Sequence, residues 1–129
     1  MDTNAEWQTD RQGVRLVFAY RLRSGVDPSE FERWLYDIHI PDLLASPYIK
    51  RLVLNRVIAS PDGEPARYYR TAEQHFDDED AYRKSQEWRE QHPVPESRSA
   101  APLIEVDFRV VCSGEEVDCD AARSSVAAD

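Results

Sequence analysis

Three histidines, three tryptophans and six tyrosines are the side chains of this 129-residue sequence best suited to moving protons on a flat organic molecule. Imidazole ionises near neutral pH, whereas a phenol in apolar surroundings keeps its proton and needs a partner for it. His39 ends the run Trp34-Leu35-Tyr36-Asp37-Ile38-His39, just before Ile40-Pro41. At a helix end beside Trp34 and Leu35 it either exchanges protons with a ligand or braces a kink by bonding a local carbonyl. Tyr20 is either a phenol facing a cavity or a core tyrosine whose hydroxyl reaches the rim. His92 closes the series Ala81, Ser85, Trp88, His92 on one helix face, where two small residues leave room beside an indole and an imidazole. Trp88 is placed to stack on a planar ligand, and His92 is a candidate base or a cap on the helix C-terminus.

These side chains need elements to hold them. Val14 to Arg23 alternates Val14, Leu16, Phe18, Tyr20 and Leu22 with the opposite set, which is the period of a strand. In Val26-Asp27-Pro28-Ser29-Glu30-Phe31 an Asp cap, a Pro in the first turn and a Val/Phe staple start a helix whose buried stripe is Phe31, Trp34, Leu35 and Ile38. Pro41 predicts that this helix breaks or kinks at His39-Ile40-Pro41, followed by a short Asp42-Leu43-Leu44 turn. Residues 48–58 and 66–76 read as strands joined by the turn Ser60-Pro61-Asp62-Gly63. Asp77 is expected to cap a second helix reaching about Gln91, where Pro93 closes it, and residues 103–111 give a fourth strand.

The order βαββαβ predicts an α+β ferredoxin-like domain over residues 13–112: a four-stranded antiparallel sheet with both helices on one face. Residues 1–12 and the acidic stretch 113–129 lack periodicity and are expected to be mobile and disordered respectively. Packing Phe76 inward brings Gln74, Ala72, Arg70 and Tyr68 to the helix side, where Arg70 and Gln74 would bind substrate oxygens. A one-residue slip would instead bring Thr71, Glu73 and His75 inward. Val17, Ala19, Val53 and Val57 would be stranded on the uncovered face, which implies a partner, most simply a second copy.

Acidic residues outnumber basic ones 25 to 16, and the net charge of -9 is offset by no basic cluster, so nucleic acid is not an expected partner. No apolar run approaches a membrane span, and no secretory leader is evident, so a cytoplasmic chain without membrane contact is expected. Cys112 and Cys119 lie close together near the C-terminus, which suits a reducing compartment. No Cys-x-x-Cys, His-Glu-x-x-His, glycine-rich phosphate loop, Gly-x-Ser-x-Gly elbow or haem-attachment motif occurs, so no metal and no cofactor is expected.

The stretches FERWLYDIHIPDLLASPYIKRLVLNRV and YYRTAEQHFDDEDAYRKSQEW resemble the dimeric α+β barrel superfamily, most closely its EthD-like branch. The resemblance spans about 100 residues and lies in order and spacing rather than in any one motif. It implies two sheets packed face to face about a two-fold axis, with a ligand cavity between each sheet and its own helices. His39 matches the histidine of the EthD-like His-x-Pro pattern, and in cyclase members a His and a Tyr share the acid–base work. The expected activity is cofactor-free cyclisation or a related lyase reaction on an aromatic polyketide-like intermediate. His39 or His92 would be the base, Tyr20 would polarise a carbonyl, Arg70 and Gln74 would orient it, and Trp34, Trp88, Leu52 and Tyr68 would wall the cavity. Cofactor-free oxygenation of an anthrone or quinol, and a non-catalytic role in a biosynthetic complex, are the alternatives.

Overall fold

The computed structural model describes residues 9–127, so the expectation of a mobile N-terminus lies, for residues 1–8, outside the described residues. The elements are β1 (Thr9–Leu22), α1 (Pro28–Trp34), a π-helical turn (Leu35–His39), α2 (Ile40–Leu44), β2 (Arg51–Arg56), β3 (Arg70–Phe76), α3 (Glu79–Gln91), β4 (Ile104–Val117) and α4 (Cys119–Ala127). The four strands form one antiparallel sheet in the order β2-β3-β1-β4. Both helical arms lie on one face, as expected for a ferredoxin-like α+β domain.

The start of α1 follows its sequence signals. Asp27 accepts the Glu30 amide through Oδ2 at 3.0 Å, Pro28 fills the first turn, and Phe31 is buried to 2 % exposure. Of the break or kink expected around His39-Ile40-Pro41, a break does not occur. The helix instead passes through the π turn, in which the Ile40 amide bonds the Leu35 carbonyl, and resumes as α2. One extra residue in the turn absorbs the hydrogen bond that Pro41 cannot donate, so the chain stays helical. Asp78, rather than Asp77, caps α3 by accepting the Ala81 amide at 2.7 Å.

The register of β3 is the expected one. Phe76, Gln74, Ala72 and Arg70 stand opposite Val14, Leu16, Phe18 and Tyr20 of β1, on the helix side. Thr71, Glu73 and His75 share the uncovered face with Arg15, Val17 and Ala19. There Glu73 Oε1 lies 3.1 Å from Arg15 Nη1 and 2.9 Å from His75 Nε2. Phe108 and Val110, opposite Ala19 and Val17, extend the apolar part of this face and are 40 % and 46 % exposed.

The acidic stretch expected to be disordered is ordered over much of its length. Residues 113–117 prolong β4 against the start of β1, and Cys119–Ala127 form α4. Pairing explains the difference: β1 begins at Thr9 rather than Val14, and its added residues offer a ladder to 113–117. The two strands slip register between Arg11 and Val14, where Gly13 adopts φ 77°. A Cβ at this position would stand 2.6 Å from the Phe76 carbonyl oxygen and 2.9 Å from that of Asp77. Gly13→Ala is therefore expected to destabilise the fold by more than about 1 kcal/mol. Urea unfolding checks this, and an unchanged midpoint would remove the bulge from the list of constraints.

Candidate functional site

A narrow hollow lies between the helix side of the sheet and the α1–π–α2 arm. Tyr20 of β1, Leu52 of β2, Gln74 of β3, Trp34 of α1 and His39 of the π turn all line it, with Phe31, Phe18 and Leu54 among its apolar walls. Its free volume is about 30 Å³, room for one or two water-sized groups rather than a fused ring. Ala100, on the loop after α3, closes one side. That loop is fastened to α2 by Arg98, whose Nε and Nη2 reach the Asp42 carboxylate at 3.1 and 3.0 Å. The same Arg98 hydrogen bonds hold the Asp42 carboxyl below the usual carboxylate range. Arg89 of α3 adds a second tie, donating from Nη2 to the Asp42 carbonyl at 2.9 Å.

The π turn is what presents His39. Its imidazole stacks on Trp34, with ring centroids 4.8 Å apart and planes 18° apart. Among the described residues no hydrogen-bonding partner holds either ring nitrogen, so the bracing role considered from sequence does not apply. Burial lowers its pKa from the ordinary 6.5; the Asp42 charge opposes this and the Arg89 charge assists it. The ring is thus a neutral base at pH 7.

Tyr20 is 3 % exposed and packs against Phe31 and Tyr69, with centroids 5.9 and 6.4 Å away. Burial raises its pKa well above the ordinary 10, against the opposing charge of Arg70, so the phenol stays protonated and keeps a proton to donate to a ligand oxygen. The hollow thus has a proton acceptor, His39, on its helical side and a proton donor, Tyr20, on the sheet, with Gln74 of β3 as a third polar residue in its lining.

Four expected site residues do not join them. Arg70 is buried beside Tyr20, but its guanidinium is bound by the Glu32 carboxylate, so it is not free to orient a substrate oxygen. Tyr68 precedes β3, where the two-residue alternation has not begun. It turns away, donates its hydroxyl to Asp107 Oδ2 at 2.6 Å and meets Phe108 edge-on. Its neighbour Tyr69 takes the core position instead, against Phe31. Trp88 and His92 stack on each other 4.3 Å apart in an open groove of about 300 Å³ with Pro93 and Pro95, away from the hollow. His92 Nδ1 lies 2.8 Å from the Trp88 carbonyl, which is the capping role. The room expected beside Ser85 is filled, because its hydroxyl bonds that of Ser46 at 3.1 Å.

Glu32 and Tyr69 were not singled out by sequence reasoning. The available signal was Arg70 itself, since a cation on the inner face of a strand requires a carboxylate from the covering helix.

No family model and no curated protein matches the sequence. Solved structures do. HapK from Hahella chejuensis is 15 % identical over 78 % of this chain and 91 % of its own, with a TM-score of 0.59. An EthD family protein from Bacillus halodurans is 18 % identical over 78 % and 97 %, with a TM-score of 0.57. A dimeric ferredoxin-like protein of unknown function from Thermobifida fusca is 21 % identical over 82 % and 92 %, with a TM-score of 0.50. At such identities these likenesses speak for the fold, which is the ferredoxin-like fold named for the Thermobifida fusca protein and shared by the EthD family protein.

The lowered pKa of His39 has a consequence for stability. The unfolded chain binds this proton more readily than the folded one, so the contribution of His39 is complete above its unfolded value of 6.5 and declines as pH falls through the lowered folded value. His39→Gln is expected to flatten the fall in stability between about pH 7 and pH 5. Parallel wild-type and variant profiles in denaturant titrations over that range would contradict the burial of the ring.

Proposed function

We propose that this chain is a cofactor-independent enzyme of the cytoplasm that acts on a small carbonyl compound by general acid–base catalysis, as a cyclase or related lyase. The observation that carries this reading is the pairing, around one apolar hollow, of an imidazole kept neutral and unbonded with a phenol kept protonated. His39 takes a proton from the carbon next to the carbonyl. Tyr20 donates a hydrogen bond to the carbonyl oxygen as negative charge gathers there. Gln74 fixes the orientation of that oxygen or of a second one, and the stacked Trp34–His39 pair and Leu52 hold the flat part of the molecule. An aromatic polyketide-like intermediate has the required planarity and acidic C–H groups. The narrowness of the hollow requires its wall to move for such a ring to enter, and the loop that Arg98 ties to α2 borders the hollow at Ala100.

The small volume also favours a second reading, a non-catalytic accessory role in a biosynthetic complex, in which the hollow is simply core. The variants separate the two. With an aromatic β-polyketide substrate, His39→Ala and Tyr20→Phe are each expected to lower kcat by roughly 100- to 10,000-fold. Wild-type kcat/KM should rise with pH through a value below 6.5 and stay level at neutral pH, because the base works in its neutral form. Turnover within about threefold of wild type in both variants would remove the acid–base mechanism.

The uncovered sheet face supports a homodimer, the state named for the Thermobifida fusca protein. Phe108, Val110, Val17 and Val53 would pack against the same face of a second copy. Val110→Glu, which places a charge in the apolar part of that face, is expected to convert the dimer to a monomer in sedimentation velocity. A wild-type monomer at high concentration would overturn this assembly.

A further inference from the structure

The inference here rests on the hollow being a ligand site and concerns what charge it admits. Among the described residues that line it there is no lysine or arginine. Glu73 borders it, but its carboxylate is turned to the opposite face and engaged by Arg15 and His75. The cation nearest to the ligand-facing phenol is Arg70, opposite Tyr20 in the sheet and one position beyond Ala72 on the same side of β3. Its side chain is only 4 % exposed. A guanidinium so far from water would draw an anionic group into the site if nothing else neutralised it.

Glu32 of α1 supplies that neutralisation. Its Oε1 accepts from Arg70 Nη2 and from Arg56 Nη2 at 3.1 Å, and its Oε2 lies 3.4 Å from Arg70 Nε. The position of Arg70 that a ligand carboxylate would take is therefore occupied by a carboxylate of the protein.

We infer that Glu32 is a specificity-determining residue: by occupying Arg70 beside Tyr20 it denies the hollow a free positive charge and restricts it to uncharged ligands. A ligand carboxylate or phosphate entering the apolar space loses its hydration and finds no cation in exchange. A neutral carbonyl, phenol or amide loses far less and is met by Tyr20, His39 and Gln74. The buried part of the substrate is then a neutral ketone, ester, phenol or amide, and any acid group it carries stays outside.

The test uses benzamide and benzoate, which match in size and differ in charge, titrated at about pH 8, where benzoate is ionised and His39 neutral. Binding is followed by NMR on the Trp34 indole and His39 ring resonances. Wild type is expected to bind benzamide at least about tenfold more tightly than benzoate. Glu32→Gln, which keeps the shape but releases Arg70, is expected to shrink that preference below about threefold by strengthening benzoate. The double variant Glu32→Gln/Arg70→Gln is expected to keep the wild-type preference, because it removes both charges of the pair and adds no free cation. Equal binding of the two probes by wild type, or an unchanged preference in folded Glu32→Gln, would overturn the inference while leaving the ligand site standing. If Glu32→Gln does not fold, loss of the benzamide preference in the folded double variant would overturn it equally. No shift of either resonance with either probe would overturn the ligand site itself, and this inference with it.

Discussion

Phe31 is the side chain on which the helix side of the domain is assembled. Its ring, 2 % exposed, touches Tyr20 from β1, Tyr69 just ahead of β3 and Trp34 one turn along its own helix. Rings of this size contribute much of a small core, and their edge and face preferences fix mutual angles as well as distances. The consequence is that the core and the candidate site are the same cluster seen from two sides. Tyr20 and Trp34 each pack one surface on Phe31 and present another to the hollow, and Trp34 in turn supports His39.

Much of this arrangement was legible in the sequence because it depends on local rules. The alternation in β1, the Asp27-Pro28 helix start and the Ser60–Gly63 turn each follow from the few residues that form them, and the structure has all three. The inner set of β3 could be read as well, because Phe76 fixes the parity of the strand. The reading failed where a tertiary partner decided the outcome. Tyr68 and Tyr69 exchange roles because the chain enters β3 only at Arg70, so period two cannot be extended backwards. Arg70 looked like a ligand-binding group because its counter-ion lies on another element, 38 residues away. Trp88 and His92 share a helix face as expected, yet that face meets the Pro-rich loop and the end of α2 rather than the hollow. Proline at position 41 correctly marked an irregularity and gave the wrong form of it, since a π turn satisfies the same constraint without breaking the helix.

The sheet divides its polar residues between its two faces in different ways. On the helix side, the charged pair Arg70–Glu32 is withdrawn to one end and leaves an apolar space in the middle. On the other side, the polar groups of Arg15, Glu73 and His75 sit together toward β3, and the apolar residues Phe108, Val110 and Val17 lie toward β4. One strand serves both arrangements, with Glu73 turned outward between the inward Ala72 and Gln74. Register is therefore under double constraint here, because a slip by one residue would bury three polar side chains in the core and strand Phe76 outside.

The ion pair between Asp42 and Arg98, reinforced by Arg89, carries a cost for any occupant. With room for only one or two waters, the hollow would admit a larger molecule only in the fraction of the protein whose loop had lifted. The affinity it experiences is the intrinsic one multiplied by that fraction. A firmer clasp would therefore make a weaker binder, and the two contacts of the Arg98 guanidinium on the Asp42 carboxylate would set how much occupancy the domain gives up in order to stay shut.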